Sequence, residues 1–297
     1  MKYNIIYVVL LPALFFSCST VHTPVVNKKI TDSKGKEMLL GHCSRSCLHE
    51  SPYKAWFDTN YANYVVDTKT ADELKSILHN KTIMVFMGTW CGDSRREVPR
   101  LIKILDYCGL PAKQLELVMV DHRDGAYKQS PQHQEKGRQI FRVPSILVFA
   151  GNKEMNRVVE SPKESLEKDL LAIVAGQHYE SNYPAGTWYL DKVEKTSARN
   201  LYNDSASIVK QLKPRLKNAY ELNAIGYILF DRNETEKSIF TFLLNEQLYP
   251  ASINCCNSLA EAYIKTGEKE KAGVELQKAR LLDADNTETK RLSKLLE

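Results

Sequence analysis

The stretch Trp90-Cys91-Gly92-Asp93-Ser94 brings an aromatic ring, a thiol, a carboxylate and a hydroxyl within five residues. The apolar run Thr82 to Met87 precedes it and a helix-forming sequence follows, so Cys91 falls at a strand-to-helix junction. Unpaired N–H groups and the helix dipole favour an anion at that position. The thiolate is the nucleophilic form of cysteine, so the placement activates Cys91. The hydroxyl of Ser94, one turn on, can donate a hydrogen bond to that thiolate. Glu97, further along the same helix, is either a proton acceptor for the site or a surface carboxylate. A second thiol pair, Cys43-Ser-Arg-Ser-Cys47, is flanked by His42 and His49. It can form a local disulfide, stay as two thiols, supply a mobile resolving pair for Cys91, or bind a soft metal such as copper or zinc. Cys108 lies 17 residues past Cys91, which is ~25 Å on one helix and out of reach for direct attack. Cys255 and Cys256 read as helix packing.

The elements that must position Cys91 are marked by local signals. Tyr53, Trp56, Phe57, Tyr61 and Tyr64 recur at helical spacing and predict an N-terminal helix whose aromatic face packs on the main domain. Thr70-Ala-Asp-Glu73 predicts a capping box opening a helix to about His79. The run 82–87 predicts a buried central strand, and Leu115 to Val120 a second, stopped by Asp121. A short helix is expected over 130–139 after Ser130-Pro131. Val143-Pro144 precedes a third strand, Ser145 to Ala150. Gly151-Asn152 turns into a fourth, Arg157 to Glu160, and Ser161-Pro162-Lys163-Glu164 predicts a capping box for a last helix to about Ala175. This order predicts an α/β domain with a mixed sheet flanked by helices.

That order, with Trp90-Cys91-Gly92 at the first strand–helix junction and Val143-Pro144 before the third strand, resembles the thioredoxin fold. Trp90-Cys91-x-x-Ser94-x-x-Glu97-x-Pro99 is similar to the Trp-Cys-x-x-Cys-x-x-Glu-x-Pro pattern of exported, membrane-tethered thiol–disulfide reductases. The resemblance covers roughly residues 70–177. It implies Cys91 as the nucleophile and a cis peptide at Pro144. Trp90, Val143, Gly92 and Asp93 would be the surroundings that meet substrate. It also implies Pro99 as a helix-kinking proline. Two positions depart from the pattern. Ser94 replaces the resolving cysteine, and a hydroxyl cannot attack a mixed disulfide. Val85 stands where the family has a buried acid, which leaves Glu97 as a substitute. Chemistry at Cys91 is therefore of the monothiol kind: exchange through a mixed disulfide resolved by another thiol, or oxidation to a sulfenic acid and recycling.

The N-terminus reads as an address. Apolar residues run from Ile5 to Phe16, too short for a spanning helix but suited to a signal peptide over 1–17. Ser17-Cys18 resembles the bacterial lipoprotein processing site, with Cys18 as the lipidated residue and membrane anchor in the cell envelope. Residues 18–50 are expected to be a tether carrying the Cys43/Cys47 pair, and 51–177 the thioredoxin-like domain. The formal net charge is +5 over 297 residues, too mild to argue for nucleic acid. The length favours two folded units.

Residues 178–203 read as a linker and 204–297 as an all-α domain, opened by a helix over 204–216. Sliding the chain by 34 residues superposes Leu222, Ile225, Gly226, Leu229, Ser238, Phe242, Asn245 and Pro250 on Cys256, Leu259, Ala260, Tyr263, Ala272, Leu276, Ala279 and Ala284. This resembles the tetratricopeptide repeat, whose small residues let paired helices approach. Asn245 departs from the pattern at a tight position. The resemblance implies a surface for a protein partner, against a packing or dimerisation role.

Three functions follow. The first is a periplasmic, lipid-anchored thiol–disulfide exchange protein acting on protein thiols or disulfides through Cys91, with no cofactor and no resident metal. The second is a non-enzymatic binding or assembly lipoprotein on the same scaffold. The third is a copper-handling protein using Cys43, Cys47 and the nearby histidines.

Overall fold

The computed structural model describes residues 27–296. The leader and Cys18 lie outside the described residues. Among those residues, no helix is long and apolar enough to cross a membrane.

Six strands form one mixed sheet: β1 Lys28–Thr31, β2 Glu37–Cys43, β3 Lys81–Met87, β4 Leu115–Met119, β5 Ser145–Ala150 and β6 Lys153–Val159. Their spatial order is β1-β2-β4-β3-β5-β6. Only the β3–β4 pair is parallel, with Phe86 opposite Val118. The other pairs are antiparallel. Because side chains alternate across a strand, the apolar run of β3 feeds two cores. Ile83, Val85 and Met87 face the larger one. Four helices cover it: α1 Lys54–Asn63, α2 Thr68–Leu78, α3 Gly92–Tyr107 and α4 Leu166–Val174. Phe86 faces the other side, where Val118, Val120, Ile140, Val143 and Leu147 close around it. That face is covered by the connection 120–144 rather than by a long helix.

The chain continues through α5 Pro184–Lys195, α6 Ala198–Asn203, α7 Ser205–Leu212, α8 Tyr220–Asp231, α9 Thr235–Leu248, α10 Ile253–Lys265, α11 Lys269–Leu282 and α12 Thr287–Lys294. Helices α9 and α11 are both 14 residues long, with corresponding ends 34 positions apart. Hairpins α8/α9 and α10/α11 thus repeat one unit. The close crossing of α8 on α9 depends on Gly226. A Cβ there would lie 2.4 Å from Cε1 of Phe242. Asn245 is fully buried and donates to the Ala219 carbonyl at 2.9 Å, so the polar residue at the tight position is held by the start of α8. Phe141 joins the sheet region to these helices by packing among Ala185, Tyr189, Leu222 and Ile225.

Several boundaries differ from those expected. The tether reading of 18–50 fails for its described part. Met38, Leu39 and Leu40 are buried, and β2 is a paired strand of the sheet. The linker reading of 178–203 also fails. Pro184 occupies the first turn of α5, where its missing N–H costs nothing. The expected helix 204–216 is α7 alone, broken from α6 at Asp204. Residues 130–139 form turns, not a helix. Buried Glu135 accepts from the Ser130 amide at 2.9 Å, and His133, Gly137 and Gln139 have positive φ. Helix α2 is capped by Asp67 rather than Thr70, and α4 by Ser165 rather than Ser161. Strand β6 begins four residues before the expected Arg157.

Candidate functional site

Cys91 is the N-cap of α3, with extended backbone (φ −85°, ψ 127°), and its carbonyl takes the first helical hydrogen bond from Arg95 at 3.0 Å. Strand β3 delivers the chain to this point through Gly88-Thr89-Trp90. Gly88 is required there, since a Cβ on it would lie 2.4 Å from Cε2 of Trp90. The hydroxyl of buried Thr89 accepts from the Leu39 amide at 3.2 Å, which ties the loop to β2. The indole N–H of Trp90 donates to the Val120 carbonyl at 2.9 Å, and its ring lies 5.3 Å from that of His122. His122 in turn contacts Asp32, with Nε2 at 3.2 Å from Oδ2. Strand β2 and the turn that joins it to β1, absent from the sequence reading, therefore help to hold the site loop.

The thiol of Cys91 donates to the Val143 carbonyl at 3.2 Å. The Val143–Pro144 peptide is cis. Val143 and Pro144 are buried, Gly92 is exposed and Asp93 is half-buried, with Oδ1 2.8 Å from Arg96. Ser94 is fully buried and plays a different part from the one expected. Its hydroxyl accepts the Gly88 N–H at 3.3 Å, so it closes the strand–helix turn, while the Cys91 sulfur turns to Val143. Glu97 is not a surface carboxylate. It is 3% exposed, with Oε1 2.5 Å from Arg96 Nε and 3.5 Å from Arg100 Nη1. Both its neighbours are cations, which fits a structural charge cluster. Pro99 lies inside α3, which runs on past it to Tyr107.

Among the described residues six cysteines are free, and of these only Cys91 reaches the surface. No Cys43–Cys47 disulfide is formed. Burial pushes the Cys43 thiol up to about 12, and Cys108 and Cys256 up to about 11. Cys43 and Cys47 belong to the core beneath α1–α4, whereas Cys91 packs against the opposite core. The sheet separates them, so they do not form a mobile resolving pair. Among the described residues, Cys43, Cys47, His42 and His49 form no common cluster of ligand atoms. His42 pairs instead with Glu116 at 2.9 Å and His49 with Asp58 at 3.3 Å. Among the described residues the one close cluster of metal-ligating types is Glu246, Cys256 and Glu275, and there the Lys278 ammonium bonds both carboxylates at 2.6 and 3.0 Å.

Beside the Cys91 loop, a cleft of about 450 Å³ opens between the sheet and the helices. His122, Tyr127 and Arg142 line one wall, and Tyr220, Asn223 and Tyr227 the other. Arg142 pairs with Glu160 at 3.1 Å and stacks on Tyr183. Lys128 lies buried behind this wall. Its ammonium donates to the Phe141 carbonyl at 2.5 Å, and burial pulls its pKa down to about 7. Lys128, Arg142, Tyr127 and His122 went unread in the sequence. They sit in an irregular connection with no periodicity, and an isolated Lys or Arg there carries no local signal. No protein-family model, curated protein or solved structure matches the chain.

Proposed function

We propose that the chain is a thioredoxin-like thiol–disulfide exchange protein of the monothiol type, with Cys91 as its nucleophile and the tetratricopeptide-like helices as a partner-binding arm. The observation that carries the reading is the position of the Cys91 sulfur: half-exposed at a helix N-terminus and 3.2 Å from the Val143 carbonyl. A sulfur so placed can attack a disulfide lying along the 143–144 segment. The thiolate bonds to one substrate sulfur and the other leaves as a thiolate. A second thiol then attacks the mixed disulfide at the substrate sulfur and frees Cys91. The exchange is neutral overall in electrons and needs no cofactor. Trp90, braced by Val120 and His122, forms one flank. The cleft between sheet and helices gives a polypeptide room to continue past the sulfur. Export and lipidation at Cys18 belong to the same proposal and rest on the sequence.

A second reading has a specific observation in its favour. The other five described cysteines are buried, and Ser94 occupies the resolving position. With no resolving thiol at hand, the same surface serves a binding or assembly protein that never turns over.

The test uses the full chain and a disulfide of N-acetylcysteine amide with 5-thio-2-nitrobenzoate. The exchange reading expects release of the coloured thiol with a mixed disulfide mapped to Cys91 by mass spectrometry, both lost in Cys91→Ala. Absence of reaction at Cys91, with partner binding unchanged in Cys91→Ala, selects the second reading.

A further inference from the structure

Lys128 is 4% exposed, and its backbone is fixed by donation from its own N–H to the Asp121 carbonyl at 2.8 Å. The ammonium reaches the Phe141 carbonyl and stands 4.6 Å from the Tyr127 ring centroid. Among the described residues no carboxylate forms an ion pair with it. A buried ammonium without an anion is costly, and its charge is readily lost. Such a lysine calls for an explanation.

The groups that face it are few. Arg142 adds a second positive charge, and Glu160 is already engaged by Arg142. Tyr127 supplies its ring, and its hydroxyl is kept neutral by burial. Cys91 is the remaining group whose charge bears on Lys128. Its sulfur is tied to the carbonyl of Val143, two residues beyond the carbonyl that holds Lys128. Thiol and amine are thus anchored on the same short segment, 141–143. Around Cys91 itself, Asp93 is neutralised by Arg96, and His122 lies beyond the Trp90 ring. Burial pulls Lys128 down and Arg142 pushes the same way, whereas a negative Cys91 raises it again.

We propose that Lys128 is a positioning residue for Cys91, its ammonium serving as the counter-charge that holds the thiolate in place. Where Lys128 stands as a neutral amine, ionisation moves one proton from the Cys91 sulfur onto the Lys128 nitrogen and creates the ammonium–thiolate pair. When the thiolate is consumed in a mixed disulfide, Lys128 loses its anion and gives that proton to solvent. The lysine touches neither sulfur of the substrate. This inference rests on the reading of Cys91 as the reactive thiol.

Linkage supplies a strict test, because two titrating groups must shift each other equally. In the full chain, Cys91 alkylation by iodoacetamide is followed against pH by peptide mass spectrometry, and Lys128 by NMR of lysine labelled with ¹³C at Cε. Lys128→Met moves the Cys91 profile to higher pH and slows alkylation at pH 7 about tenfold. Cys91→Ala moves the Lys128 titration to lower pH by the same amount. Lys128→Arg, which keeps the charge, retains fast alkylation, and Lys128→Gln stands in for Lys128→Met should that variant not fold. An unchanged Cys91 profile in Lys128→Met, or an unchanged Lys128 titration in Cys91→Ala, overturns the pair. Should Cys91 fail to exchange with disulfides while the two titrations still shift one another, the exchange reading falls and the pair stands.

Discussion

At the scale of single residues, accessibility separates Cys91 from the other thiols. Burial holds Cys43, Cys108, Cys255 and Cys256 in the neutral thiol form. Brief treatment with iodoacetamide at pH 7 should therefore label Cys91 ahead of all other described cysteines, as read by peptide mapping. Equal labelling of Cys43 or Cys108 would contradict the burial argument. Gly88 gives a second prediction. Gly88→Ala drives a methyl into the Trp90 ring, so the indole must leave its bond to Val120. A cost of about 1–3 kcal/mol, a shifted Trp fluorescence spectrum and slower exchange at Cys91 are expected. The Cys91 junction was legible in the sequence because a buried strand, a thiol and a helix start are all local signals. The real role of Ser94 was not. Whether a hydroxyl bonds a sulfur or a backbone N–H depends on the turn geometry, which no spacing encodes.

At the scale of elements, strands β3 to β5 follow from short apolar runs, α1 from the helical spacing of its aromatic residues, and α2 and α4 in outline from polar residues that signal a helix start. β2 was missed because Glu37-Met-Leu-Leu-Gly-His-Cys43 does not alternate, and Gly41, with φ +77°, switches its partner from β1 to β4. The 34-residue repeat was legible because close helix crossings demand small residues at fixed offsets. Two glycines test that logic. Gly226→Ala meets Phe242 and should cost about 1–3 kcal/mol in denaturant unfolding. Gly273→Ala, inside α11 with nothing within 4 Å of its Cβ, should stabilise by about 0.5–1 kcal/mol. The opposite order would mean that the α8/α9 crossing is not packed as described.

At the scale of the whole molecule, the sheet and the helices meet across the connection 120–144, which packs Phe141 among the helices and buries Lys128 against the Phe141 carbonyl. The folded pKa of Lys128, about 7, lies below its ordinary value of 10.5. The unfolded chain therefore binds more protons between those values, and stability rises with pH across that window. The cost of the buried ammonium is full below pH 7 and gone above about 10.5. Lys128→Met removes this dependence. Its stability relative to the parent should be greater at pH 6 than at pH 10, by roughly 2–4 kcal/mol. A pH-independent difference would mean that Lys128 is not buried as described. This contact was beyond sequence reasoning, because it joins residues 13 positions apart through an irregular path.

The central claim is that Cys91 carries out exchange rather than mere binding. Its most direct test is the recovery of activity by scrambled, disulfide-mispaired ribonuclease A in a dilute glutathione buffer, with the full chain present in catalytic amount. The account predicts faster recovery than in buffer alone, with the gain lost in Cys91→Ala and kept in Cys43→Ser/Cys47→Ser. Recovery no faster than in buffer, or a gain that survives Cys91→Ala, would contradict it.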